Sequence, residues 1–254
     1  MIVDALAHIT KEGIWFDTSL TASLDSLILS MEECKVDKAM LVGLPSTNDN
    51  DIILEAVENY PGKFIPFAGI DVSMDDNEIY ESVLRAKHLG FTGIKLHPRL
   101  SVTPITHPIF KKVLQLAGKL DLVAMVCTIH RPPLPALRRP LSDALYELCL
   151  ACDNTRIILV HGGYTDILAT SEMIRPLEHI LLDLSVTLTR FRNTSIGMDV
   201  AWLLDSFDRR ICVGSDYPEG NMKDVMSVLS NILGDSWDNS RIHSMSQNLI
   251  SFIA

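Results

Sequence analysis

Eight short apolar runs, each followed by a stretch with helical spacing, constrain this chain more than any other feature. The runs are 2–8 "IVDALAH", 38–44 "KAMLVGL", 64–70 "FIPFAGI", 92–97 "TGIKLH", 122–130 "LVAMVCTIH", 156–161 "RIILVH", 180–185 "ILLDLS" and 210–216 "RICVGSD". Between them apolar residues recur three and four positions apart, as in "LDSLILSMEECK" and "NEIYESVLRAKHLG", the period of a helix with one buried stripe. Strands that are apolar on both faces suit a parallel sheet covered by helices. Eight uninterrupted βα alternations in 254 residues predict an α/β fold of the (β/α)8 TIM-barrel type, read as one domain over 1–254, since such barrels need about 250 residues. A doubly wound open sheet is the competing architecture. It expects a glycine-rich phosphate loop after the first strand, and none follows "IVDALAH". Helix starts are expected at Asp49 or Asn50, at Asp76 or Asn77 and at Ser142, and a stop at Gly90.

In a barrel the C-terminal ends of the strands converge on one mouth. Here those ends carry His8, His97, His130, His161 and Asp216, so four of the eight histidines close a strand. Burying five polar groups without partners costs about 1–3 kcal/mol each. A shared cation or a tight hydrogen-bond network removes that cost. Imidazoles with a carboxylate suit zinc, manganese or iron, and a site of three or four protein ligands leaves room for a water. A metal would bring the pKa of that water towards ~7. His97, Arg99 and Arg131 stand where an anionic substrate group would be met, because arginine binds carboxylate in a bidentate way; solvated loop charges are an equal reading for the two arginines. Lys95 shares a strand face with His97 and reads as a barrel-interior or substrate-side cation. Asp4 sits lower on the first strand and reads as structural support or a partner for Lys95. Asp183 reads as a pocket residue or a helix cap.

Composition narrows the partners. A formal charge of −10 argues against nucleic acid, which needs basic stripes. Apolar runs such as "DLVAMVCTI" fall short of the ~20 residues that cross a bilayer. The expectation is a cytoplasmic, soluble protein acting on a small molecule. Apolar helix faces, such as the one with Trp202, suit either barrel packing or a homo-oligomer. The five cysteines lack a disulfide-framework spacing. Cys149 and Cys152 form a C-x-x-C without a second pair, and fit the apolar face of the helical stretch "LSDALYELCLACDN" better than a zinc or redox site.

These segments together resemble the amidohydrolase superfamily, in its branch of single-metal hydrolases and decarboxylases. The matching pieces are "IVDALAH", "GIKLHP", "TIH", "ILVHGG", "VGSDYP" and the C-terminal "SQNLISFI", the last resembling the helix that closes such barrels. The resemblance implies a divalent metal, zinc by preference with manganese or iron as substitutes, held by His8, His130 and Asp216. It implies that Asp216 shuttles a proton and that His161 orients water or polarises the substrate. The implied activity is metal-assisted hydrolysis of an ester, lactone or amide, with non-oxidative decarboxylation as the alternative. One position departs from the pattern. The family's D-x-H-x-H reads D-A-L-A-H here, so Leu6 replaces a ligand histidine. Either the ion shifts towards His161, or the chain is a degenerate barrel that binds a ligand without catalysis.

Overall fold

The computed structural model of the chain describes all residues except 46, 48, 208, 209 and 235–237. The strands are β1 (Val3–Ala7), β2 (Lys38–Val42), β3 (Phe64–Ile70), β4 (Gly93–Leu96), β5 (Val123–Cys127), β6 (Ile157–Val160), β7 (Ile180–Asp183) and β8 (Ile211–Cys212). They pair in parallel in sequence order, and a parallel bridge from Ala7 to Tyr217 brings the last strand segment back to the first. This is the expected (β/α)8 barrel. No described helix is long and apolar enough to cross a membrane.

Strand alternation divides the apolar residues into two cores. Ile94, Leu96, Ala124, Val126, Ile157, Leu159, Ile180 and Leu182 join the core beneath the helices. Leu6, Met40, Val42, Phe67, Met125, Val160, Leu181 and Cys212 fill the barrel interior. The same parity turns Lys95 and Asp183 inward, because their strand neighbours face the helices. The helix Asn239–Ile253 places Leu249 in the interior cluster with Val3 and Val123, and so closes the N-terminal end of the barrel. Ser246 Oγ accepts from Val3 N at 2.9 Å.

The weakest ladder is the one that closes the ring. β8 has two residues in regular strand geometry, against the seven expected over 210–216. Beyond Cys212 the chain stays against β1 through single bonds. Ala5 N donates to Val213 O at 3.2 Å, Asp216 N to Leu6 O at 2.9 Å, and His8 N to Tyr217 O at 2.9 Å. A Cβ on Gly214 would lie 2.5 Å from Leu6 N, so only glycine allows this approach. The Asp4 carboxylate then clamps the seam, accepting from Ser215 N at 2.8 Å and from Ser215 Oγ at 2.5 Å. Asp4 is therefore structural support, and its partner is Ser215 in place of Lys95.

Helix starts differ slightly from expectation. The helix Asp76–His88 is capped by Asp75, which forms a capping box with Glu78. The helix Leu141–Leu150 begins one residue before Ser142. Gly90, at φ 84°, follows the end of Asp76–His88 as expected. Cys149 and Cys152 are free, buried thiols, and burial raises the pKa of both, as packing residues require.

Asp4→Ala strips the acceptor from the Ser215 amide. It is expected to lower the unfolding free energy by about 1–3 kcal/mol, the cost of a buried donor left unmade, read by urea denaturation. An unchanged midpoint would show that the seam does not need the clamp.

Candidate active site

One cavity at the C-terminal ends of the strands is lined by His8, Lys95, His97, Arg99, Arg131, His161 and Asp216, under a cover that includes Trp15, Phe16 and Tyr164. Six of the seven expected site residues thus meet in one place. His130 is the exception.

His8 follows β1, buried between two acceptors. Its Nδ1 lies 2.6 Å from Val42 O, and its Nε2 lies 3.3 Å from Asp216 Oδ1. The ring thus lies between a backbone carbonyl and a carboxylate. Trp15 stacks on this ring, with centroids 5.3 Å apart and planes at 24°. The Trp15 indole in turn donates to Glu219 Oε1 at 3.1 Å, which ties the cover to the loop after Asp216.

Asp216 holds φ at 56°, a conformation costing about 1–3 kcal/mol for a non-glycine residue. The seam imposes it, since Ser215 and Tyr217 on either side are bonded to Asp4 and Thr21. Burial pushes the Asp216 carboxyl up, but the His8 bond and electrostatic attraction from His161, His8 and Lys95 more than offset this, holding it at about 2. It is ionised at neutral pH.

His161 begins a run of four left-handed residues that continues through Gly162, Gly163 and Tyr164. Hydrogen bonds hold the run in place. Thr187 Oγ1 donates to His161 O at 2.8 Å, and Gly163 N to Thr128 Oγ1 at 2.9 Å. His161 Nδ1 lies 2.9 Å from Ser185 O, which makes it the donor nitrogen and leaves Nε2 as a lone pair. Burial, opposed by Asp216 and assisted by Lys95, lowers the ring to about 4. His97 is also neutral, held well below the usual histidine value by burial and then by Lys95 and Arg99. Its Nδ1 accepts from Leu100 N at 3.2 Å, so Nε2 carries the proton.

Lys95 is 1 % exposed. Burial lowers its pKa, while Cys127, Asp216 and Asp183 favour its charged form. Asp183 is inward-facing and accepts from both the amide and the hydroxyl of Ser185. Burial raises it to about 6. Arg99 is half-buried, and its buried Nε has no partner among the described residues.

His130, expected as a metal ligand, lies outside this cavity. β5 ends at Cys127, three residues earlier than expected. Ile129 and Arg131 line the cavity, whereas His130 between them is turned away and its Nε2 lies 2.9 Å from Pro135 O in its own loop. The strand presents Cys127, which is buried, on its inward face. Leu6 offers no donor either and is packed with the interior apolar residues. Among the described residues no group of three or more His, Cys, Asp or Glu side chains is placed to hold a metal ion. A buried ammonium, Lys95, lines the same cavity. The donor set present therefore does not fit a divalent ion. The cover residues Trp15, Phe16, Tyr164, Arg190 and Glu219 were not legible in the sequence, because they come from loops and short helical turns without a motif.

Because His161 falls from 6.5 to about 4, an unfolded chain binds a proton near pH 5 that the folded ring refuses. Its contribution to stability is complete above pH 6.5 and declines as pH falls towards 4. Nitrogen-15 NMR of the histidine rings at pH 6 should show His161 neutral with a bare Nε2; an imidazolium there would contradict the assignment.

The sequence profile of the amidohydrolase family matches residues 25–219. No curated protein sequence matches the chain. Among solved structures, an uncharacterised TIM-barrel protein from Bordetella bronchiseptica superposes with a TM-score of 0.81 at 14 % identity, covering 99 % of each chain. A probable 2-pyrone-4,6-dicarboxylic acid hydrolase from Acinetobacter baumannii, with citric acid bound, gives 0.70 at 13 % identity over 99 % of this chain and 98 % of that one. A dihydroxybenzoic acid decarboxylase from Polaromonas, with bound manganese and an inhibitor, gives 0.71 at 15 % identity over 99 % and 96 %. At these identities the structures establish the barrel, and the profile match over most of the chain establishes that it belongs to the amidohydrolase family.

Proposed function

We propose that the chain is an enzyme that hydrolyses a small ester, lactone or amide bearing a carboxylate. One observation carries this reading. A single buried cavity joins two proton acceptors, Asp216 and His161, to the donors His8, Lys95, His97, Arg99 and Arg131. Environments that push titratable groups to opposite roles are the usual basis of acid–base work at neutral pH.

The carboxylate of the substrate is bound by Arg99, whose buried Nε lacks a partner, and by Arg131. A guanidinium meets a carboxylate through two parallel bonds. The carbonyl oxygen is met by the His97 Nε2 proton and the Lys95 ammonium, which stabilise the charge that grows on it. A water is oriented by Asp216 and His161. Its oxygen bonds to the carbonyl carbon as its proton passes to these acceptors. When the tetrahedral intermediate collapses, that proton moves to the leaving oxygen or nitrogen. His8, held between Asp216 and Val42 O, keeps the carboxylate aimed. Zinc, manganese and iron, expected from the resemblance, have no three-donor site among the described residues, and none takes part in these steps. The five free thiols suit a reducing compartment such as the cytoplasm.

The citric acid bound by the hydrolase neighbour supports a polycarboxylate substrate. The decarboxylase neighbour supports a second outcome, since the same donors suit an aromatic acid that loses CO2. A panel of lactones, esters and aromatic acids, scored for ring opening and for CO2 release, separates the two. Release of CO2 without hydrolysis of any ester or lactone would replace the hydrolytic reading. Absence of turnover across the panel would indicate a binding barrel.

On the best substrate, Asp216→Asn is expected to lower kcat by about 10²–10⁴-fold with a small change in KM. Arg99→Ala is expected to raise KM by about 10–100-fold, as loss of a charged hydrogen bond implies, with kcat little changed. Steady-state kinetics of the two variants check this. An Arg99→Ala enzyme with wild-type KM would remove the arginine from the binding role.

A further inference from the structure

The interior of the barrel carries more charge than the proposed reaction needs. Asp4, Asp183 and Asp216 are buried acids, and Lys95 is the buried lysine among them. Strand parity fixes its direction, because Ile94 and Leu96 belong to the helix-side core and its register partner Met125 belongs to the interior. Its ammonium makes no ion pair with any carboxylate among the described residues, although Asp216 lines the same cavity. A buried charge without a direct partner is costly. It is kept where an intervening oxygen, from water or substrate, completes the network.

The positions from which a metal would be held tell the same story independently. Leu6 fills the interior with an apolar side chain, and His130 is spent on Pro135 O. Adding a dication between His8 and Asp216 would set it against the ammonium in a site of low dielectric.

We propose that the Lys95 ammonium is the resident cation of this site, balancing Asp216 across the cavity and meeting the substrate oxygen, and that the chain holds no divalent ion there. The second role rests on the catalytic reading above; the first does not. Lys95 acts on charge at the reacting oxygen without forming a covalent bond.

The test is calorimetric and needs no substrate. The full chain is treated with chelator, dialysed and titrated with zinc chloride and, separately, manganese chloride, alongside Lys95→Met and Lys95→Arg. Circular dichroism confirms that each variant is folded, and Lys95→Gln replaces Lys95→Met if the latter is not. Wild type and Lys95→Arg should show no saturable binding of either metal in the micromolar range. Removing the charge should tighten the weak zinc contact of the His8–Asp216 pair by about tenfold, the scale of one nearby like charge removed, still short of micromolar binding because no third donor is placed there among the described residues. One equivalent of zinc bound at micromolar concentration by wild type overturns the proposal. So does a neutral variant that binds no better than wild type. Because the readout is metal affinity, the proposal can fail while hydrolysis stands, and hydrolysis can fail while the cation assignment stands.

Discussion

Closure of the barrel depends on one buried carboxylate. A parallel sheet of eight strands has no free edge once its first and last members meet, but β8 offers only Ile211 and Cys212 as regular ladder residues. The seam is completed by the Asp4 clamp on Ser215, by the bond from Asp216 N to Leu6 O, and by Gly214 lying against Leu6. Burial raises Asp4 to about 6, even though its bonds to Ser215 pull the other way. The clamp is therefore a charged group kept in the core because strand donors satisfy it. Its consequence lies one residue further on. With Ser215 and Tyr217 both fixed, Asp216 is forced to positive φ and its carboxylate is delivered to His8.

The rest of the site follows from desolvation. Burial pushes His97 and His161 towards neutrality, for His161 even against the pull of Asp216. Asp216 makes its close side-chain contact with His8, at 3.3 Å. One cavity thereby holds an imidazole set against the carboxylate and another that keeps a lone pair. The strain in the segment from His161 to Tyr164 is the local cost of aiming that lone pair, and it is offset by bonds from Thr187 and to Thr128.

The architecture was legible because a strand buried on both faces and a helix with one stripe leave different periods, and eight repeats of the pair admit few folds. The family was legible in the polar residues that end those runs. What failed was the parity at the ends. An apolar run such as "LVAMVCTIH" reads as one strand, yet the chain leaves the wall after Cys127, so His130 falls outside the alternation that puts Ile129 and Arg131 in the cavity. β8 was over-extended for a related reason: "RICVGSD" is apolar enough to be a strand, but its last residues are held by the seam and not by a ladder. Leu6 was visible as a missing ligand. Its partner in that change, the inward ammonium of Lys95, was visible as a residue but not as a charge facing Asp216, which only the closed barrel brings about.

The account depends on side-chain charge, without metal, organising the mouth of the barrel. Crystals grown in zinc acetate with citrate, measured on both sides of the zinc absorption edge, test it most directly. The account predicts a carboxylate of the citrate at Arg99 Nε, an oxygen at the Lys95 ammonium, and no anomalous peak between His8 and Asp216. A zinc peak coordinated by His8 Nε2 and Asp216 Oδ1 would contradict it.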